Sequence, residues 1–115
     1  MDIQKLQQYL QAFADHRNWN QYHNPKNLAM ALTGEAGELL EIFQWLTPDE
    51  SLRENLGPEN YQAVREEIAD IFIYLIRMAD LLGIDLEKAF WEKMEKNGAK
   101  YPVGQEQGRK NGFNR

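Results

Sequence analysis

Apolar residues recur along most of the chain at intervals of three and four, the rhythm of helices that bury one face. Ile3, Leu6, Leu10 and Phe13 keep this spacing, so residues 2 to 16 are predicted to form an amphipathic helix. The polar run from Arg17 to Asn24 interrupts it. Asn24 followed by Pro25 is a helix start, with a capping side chain and then a proline whose missing N–H costs nothing in a first turn. The helix that begins there is expected to reach Leu46, because Thr47 precedes Pro48 and a residue before proline is pushed out of the helical region. Residues 48 to 56 have room for a short helical turn. Gly57-Pro58 opens a third long helix, which runs to Leu82 and stops at Gly83 in a left-handed cap. Asp85 caps a further helix over residues 86 to 97, with Asn97-Gly98 as its stop.

No segment alternates with period two for long enough to suggest a strand, and no internal repeat is visible. The expected fold class is therefore all-α, a four-to-five-helix bundle with short connections and one longer link. One domain is expected over residues 1–103, followed by a flexible tail over 104–115.

Acid placed where a core should be changes this picture. Leu28, Leu32, Leu39, Ile42 and Leu46 make the apolar stripe of the second helix, and Glu35 sits in the middle of it. Glu38 lies three residues on, about 60 degrees around the helix, so both carboxylates share a face. The third helix repeats the arrangement. Ile68 to Ile76 is apolar nearly all round, which predicts burial, yet it contains Asp70, with Glu67 one turn earlier. A Glu-x-x-Glu pair alone is commonplace on exposed helices. A carboxylate inside an oily helix is not, because burying it unpaired costs several kcal/mol. Two such pairs call for a shared counter-charge, and a divalent cation supplies one.

The ligand type narrows the metal. Glu35, Glu38, Glu67 and Asp70 are all hard oxygen donors, which suits Mg2+, with Mn2+ as a substitute and Ca2+ as a further fit. Zinc favours histidine or cysteine. The chain has no cysteine, and its histidines, His16 and His23, lie outside both acid pairs. A di-iron bundle would need Glu-x-x-His pairs, which are absent. Magnesium characteristically meets substrate phosphates, so the acids point toward phosphate chemistry.

Charge adds a second element. The net charge of −5 argues against a nucleic-acid coat, so no nucleic-acid partner is expected. The basic residues Lys93, Lys96, Lys100, Arg109, Lys110 and Arg115 nevertheless gather at the end of the chain, where a polyphosphate could meet them. A solvated stripe is the plainer reading of the same lysines. The composition, 43% hydrophobic and 27% charged, is that of a folded domain. No run is long and apolar enough for a membrane span, and MDIQKLQQYL lacks the pattern of a secretory signal. With the absence of cysteine, this agrees with a cytoplasmic location.

Aromatic residues stand in unusual places. Trp19, Tyr22 and His23 occupy the polar link, and Trp45 ends the second helix. Such rings can stack on a base, or they can close the bundle or a subunit contact. Tyr74, one turn after Asp70, could steady a carboxylate through its hydroxyl.

The chain resembles the all-alpha nucleotide pyrophosphohydrolases of the MazG-like group over about residues 10 to 103. The resemblance is carried by Arg17-Asn18-Trp19 with Tyr22-His23-Asn24-Pro25-Lys26-Asn27-Leu28, by Gly34-Glu35-Ala36-Gly37-Glu38, and by Phe43-Gln44-Trp45. It continues through Glu66-Glu67-Ile68-Ala69-Asp70-Ile71 and ends with Lys96-Asn97 and Lys100-Tyr101-Pro102. The His-x-Pro-x-Asn-Leu and Phe-Gln-Trp segments tilt it to the dCTP-type branch. The resemblance implies that Glu35, Glu38, Glu67 and Asp70 bind magnesium. It also implies that Trp19, His23, Trp45 and Tyr74 line a base and sugar pocket, and that Lys93, Lys96, Asn97 and Lys100 meet the phosphates. The implied activity cleaves a (deoxy)nucleoside triphosphate to the monophosphate and pyrophosphate, in a homodimer or homotetramer. Glu38 or Glu41 would serve as general base. Two alternatives stay open: a phosphoribosyl-ATP pyrophosphohydrolase-like enzyme, and a non-catalytic helical dimer held together by its metal.

Overall fold

In the computed structural model, residues 1–104 are described. They form five helices: α1 (Ile3–His16), α2 (Pro25–Phe43), α3 (Arg53–Leu56), α4 (Pro58–Leu81) and α5 (Leu86–Lys100). Among the described residues there is no strand. Beyond Gly104, the tail expected from 104 onward lies outside the described residues.

The helix starts follow local chemistry. Asp2, Asn24 and Asp85 each accept a hydrogen bond from the backbone N–H three residues on, at 3.2, 2.9 and 3.1 Å. Each side chain thereby satisfies one of the N–H groups a helix start leaves without a partner. Thr47 and Glu50 exchange reciprocal bonds of 2.8 and 3.2 Å, a capping box that shapes the link between α2 and α3. Gly57, at φ 83°, turns the chain into Pro58, and Gly83, at φ 67°, takes the left-handed position expected of it.

Two helix ends differ from the sequence expectation. α2 stops at Phe43, three residues before Leu46, because the last turn tightens: Leu46 N–H donates to Phe43 O rather than four residues back. α5 runs through Asn97-Gly98 to Lys100. Gly98 keeps a negative φ, so it does not act as a left-handed cap. The helix ends where Tyr101 meets Pro102.

The chain divides into two compact units. The first is Met1–Gly83, and the second begins at Ile84 and contains α5. In the first unit α4 is the central element, with α2 packed along it and α1 and α3 in smaller contacts. Ala14, Leu28, Leu56, Ile76 and Ala79 form the buried core. The half-buried stripe of α2 includes Leu32, Leu39 and Ile42, as the spacing predicts, with Leu46 half-buried just beyond the helix end, and Glu35 stands within the stripe.

The burial expected all round Ile68 to Ile76 is not found. Ile76 is buried, but Ile68, Ile73 and Leu75 are open to solvent. Met30, Leu40, Phe90, Trp91 and Trp45 are exposed too. No helix among the described residues is long and apolar enough to cross a membrane.

Leu28 is the tie point of α2 on this core, at 2% exposure. Leu28→Ala should cost about 2–5 kcal/mol. Chemical denaturation should show an earlier midpoint with an unchanged slope, and an unmoved midpoint would show that Leu28 contributes no packing.

Candidate metal centre and adjoining cavity

The contact between α2 and α4 brings carboxylates together. One oxygen from each of Glu35, Glu38 and Glu67 lies within 4.8 Å of the other two. Glu35 and Glu67 are half-buried, and Glu38 is exposed. The Oε2 atoms of Glu35 and Glu67 are shielded from solvent and have no hydrogen-bond partner. Buried carboxylate oxygens without donors are costly, and nothing among the described residues compensates them.

Their crowding shows in proton affinity. The close approach of Glu67 holds the Glu35 carboxyl above its ordinary range, and desolvation and the charges of Glu67 and Asp70 push the same way. Glu38 is raised first by its contact with Glu35 and then by the Glu35 charge. Like charges at this range resist joint ionisation, and a dication relieves the conflict. Three hard oxygen donors, two of them with an orphaned oxygen, therefore fit a divalent ion of the magnesium class.

Asp70 is placed differently from the other three acids. It is outside the close group and lines a neighbouring cavity. Its charge still reaches Glu35 and Tyr74. Glu41 and Glu66 are exposed on the flanks.

The cavity encloses about 250 Å³, and Trp19, His23, Asp70, Tyr74 and Arg77 are among its lining residues. Small-molecule sites commonly run from about 300 to 1,000 Å³, so this one suits a single flat ring. Three of the four aromatic candidates meet here. Trp19 lies edge-on to Phe13 with 5.5 Å between ring centres, and 5.9 Å from the His23 ring. Burial, and then the charges of Glu35, Asp70 and Glu38, raise the Tyr74 phenol above its ordinary range. Among the described residues, no hydrogen bond joins the Tyr74 hydroxyl to a carboxylate, so the steadying bond suggested by the spacing is not made. Trp45 is not part of this lining and stands 86% exposed on the turn after α2.

Lys93, Lys96, Asn97 and Lys100 all lie on α5, in the second unit. Lys93, Lys96 and Lys100 are exposed. Asn97 is half-buried, and its amide donates to Met94 Sδ at 3.9 Å.

Arg77 was missed by sequence reasoning. Only 2% of it is exposed. Its guanidinium donates to His23 Nδ1 at 3.3 Å, to Gln11 Oε1 at 2.6 Å and to Asn20 Oδ1 at 3.0 Å. The signal was available, since Arg77 interrupts the apolar helix between Ile76 and Met78 much as Asp70 does a few residues earlier.

The fold and site define an all-helical protein with an acidic centre between two packed helices and a ring-sized cavity beside it. Residues 31–114 match the MazG-like family, and the chain belongs to that family. It is 44% identical over 91 residues to dCTP pyrophosphatase 1 of Bos taurus and 43% identical to that of Homo sapiens, covering 79% of this chain. The chain spans about half the length of these relatives, 54% of each. A crystal structure of a pyrophosphatase from Archaeoglobus fulgidus superposes with a TM-score of 0.78 at 44% identity, covering 86% of this chain and 91% of that one.

Metal occupancy can be read without any substrate. At about 100 times its dissociation constant, a bound cation adds ~2.7 kcal/mol to stability. Magnesium should therefore raise the melting temperature of the wild-type protein, and Glu67→Gln should abolish most of that shift. An equal shift in both proteins would remove Glu67 from the ligand set.

Proposed function

We propose that the protein is a magnesium-dependent nucleoside triphosphate pyrophosphohydrolase, acting on dCTP or a modified dCTP and releasing the monophosphate and pyrophosphate. The observation that carries this reading is the close group of Glu35, Glu38 and Glu67 between α2 and α4, with orphaned oxygens on Glu35 and Glu67 and with Asp70 in the wall of an aromatic cavity. A cation that only fastened two helices would have no need of a ring-sized cavity beside it. The kinship with dCTP pyrophosphatases supports the choice of substrate.

Glu35, Glu38 and Glu67 would hold the cation, with Asp70 completing the set from the cavity wall. When bound, the ion would neutralise phosphate oxygens and lower the cost of charge building up at phosphorus. The protein's own groups do the rest. Trp19, His23 and Tyr74 enclose the base, and Trp45 is a further proposed contact for base and sugar. Asp70 belongs to both the cavity and the acidic surroundings of Glu35, so a base in the cavity would lead its phosphates toward the acids. Glu38 is the most solvent-accessible of the clustered acids, which suits a group that takes a proton from water. Glu41 is the alternative base. Lys96 and Asn97, with Lys93 and Lys100, are the proposed phosphate ligands on α5.

The open apolar faces support a homodimer or homotetramer. Light scattering on the eluting protein should give two or four times the mass of 13.5 kDa. A monomeric mass would leave those faces without an explanation.

The direct test supplies a panel of nucleoside triphosphates with magnesium and measures pyrophosphate. Release should be fastest with dCTP or a modified dCTP, and Glu38→Gln should reduce turnover by about 100-fold or more, the usual span for a lost general base. No release from any nucleotide by folded, metal-loaded protein would overturn the proposal. Orthophosphate in place of pyrophosphate would overturn the bond assignment.

A further inference from the structure

Arg77 is a buried cation with no carboxylate among its hydrogen-bond partners in the described residues. Its three polar partners, His23 Nδ1, Gln11 Oε1 and Asn20 Oδ1, are all neutral acceptors. The anion stands one layer out. Gln11 Nε2 donates to Asp15 Oδ1 at 2.8 Å, and the Asn20 amide donates to the same oxygen. The two amides therefore carry the arginine's charge to Asp15 at the surface. These hydrogen bonds, from Asn20 first and then Gln11, hold the Asp15 carboxyl below its ordinary range.

This arrangement has a consequence for His23. Arginine has no acceptor and keeps its proton, so a ring nitrogen facing it must present a lone pair. With Nδ1 committed as an acceptor, the neutral imidazole carries its hydrogen on Nε2. Among the described residues, Nε2 has no hydrogen-bond partner, and His23 is part of the cavity lining. Burial, and then the Arg77 charge, also hold His23 below its ordinary range and keep the ring neutral. The backbone is fixed as well, since His23 N–H donates to Trp19 O at 3.1 Å.

We infer that Arg77 is a positioning residue that locks the His23 imidazole in the Nε2–H tautomer, so that the cavity offers a fixed N–H donor to an acceptor atom on the edge of a nucleobase. The inference rests on reading the cavity as the base site. Arg77 also reaches the cavity wall, but in this scheme it acts through His23 and not on the substrate. It sets which kind of base edge is accepted: one with a ring nitrogen or carbonyl oxygen opposite His23 gains a bond, and one with only donors there loses it. A flexible imidazole could serve either edge and would discriminate less.

Three measurements test this. Long-range nitrogen–proton correlation spectra of the intact protein at neutral pH should show His23 with an unprotonated Nδ1 and a protonated Nε2. In Arg77→Met the two tautomers should mix. Kinetics with dCTP, dTTP, dATP and dGTP should show KM for the preferred nucleotide rising about tenfold in His23→Ala, the scale of one lost hydrogen bond, with kcat little changed. Arg77→Met should do the same, and the double variant should be no worse than either single one, because Arg77 acts through His23.

An Nδ1–H tautomer in the wild-type spectrum overturns the proposal, and needs no variant to fold. Additive losses in the double variant overturn it too, since a merely structural arginine would weaken both backgrounds alike. If His23→Ala leaves every KM unchanged while pyrophosphate is still released, the base-recognition role of His23 falls and the proposal falls with it. Absence of turnover with every nucleotide is a failure of the proposed function instead. The tautomer spectra would then still decide whether Arg77 sets the His23 ring.

Discussion

Repulsion between carboxylates across the α2–α4 contact is the constraint on which the rest of the structure turns. Packing those two helices places oxygens of Glu35, Glu38 and Glu67 within 4.8 Å of one another and strips two of them of any donor. Helix packing normally selects apolar side chains at such a seam. Here the chain accepts a destabilised contact, and the stripe of leucines on α2 together with Leu28 and Ile76 in the core holds the helices in place regardless. Strain of this kind is typical of a site poised to receive a cation, because the same ion that relieves the repulsion also attracts phosphate.

A second buried charge, of opposite sign, stands on the same helix. Arg77 lies seven residues beyond Asp70, about two turns along α4, so both project toward the same side. Their solutions differ. The acids lack donors and call for an external ion, whereas Arg77 is satisfied internally by Gln11, Asn20 and His23. The acidic group between α2 and α4 is thus left in mutual repulsion, whereas the Arg77 side of the cavity is held by a closed hydrogen-bond network. That contrast separates the part of the site proposed to hold a metal from the part proposed to read a ring.

The exposed apolar residues belong to the same economy. A unit this small buries few side chains completely, and much of the apolar surface of α4 stays open. These open faces are the ground for the homodimer or homotetramer proposed above.

Much of this was legible in the sequence. The all-α class, the starts of the helices, and the acids out of place in oily stripes all follow from interactions within about four residues, where periodicity and capping act. Those rules also misjudged the stops at Leu46 and Asn97, where a tightened last turn and a glycine content with negative φ overrode the local signal. Which acids meet was beyond them. Spacing treats Glu67 and Asp70 as equals, and only the rotation of α4 against α2 sends one into the cluster and the other to the cavity wall. The Arg77 bonds join residues 54 to 66 positions apart. Contacts over such separations depend on how rigid helices dock, and no pattern along the chain encodes that docking until the tertiary structure has formed.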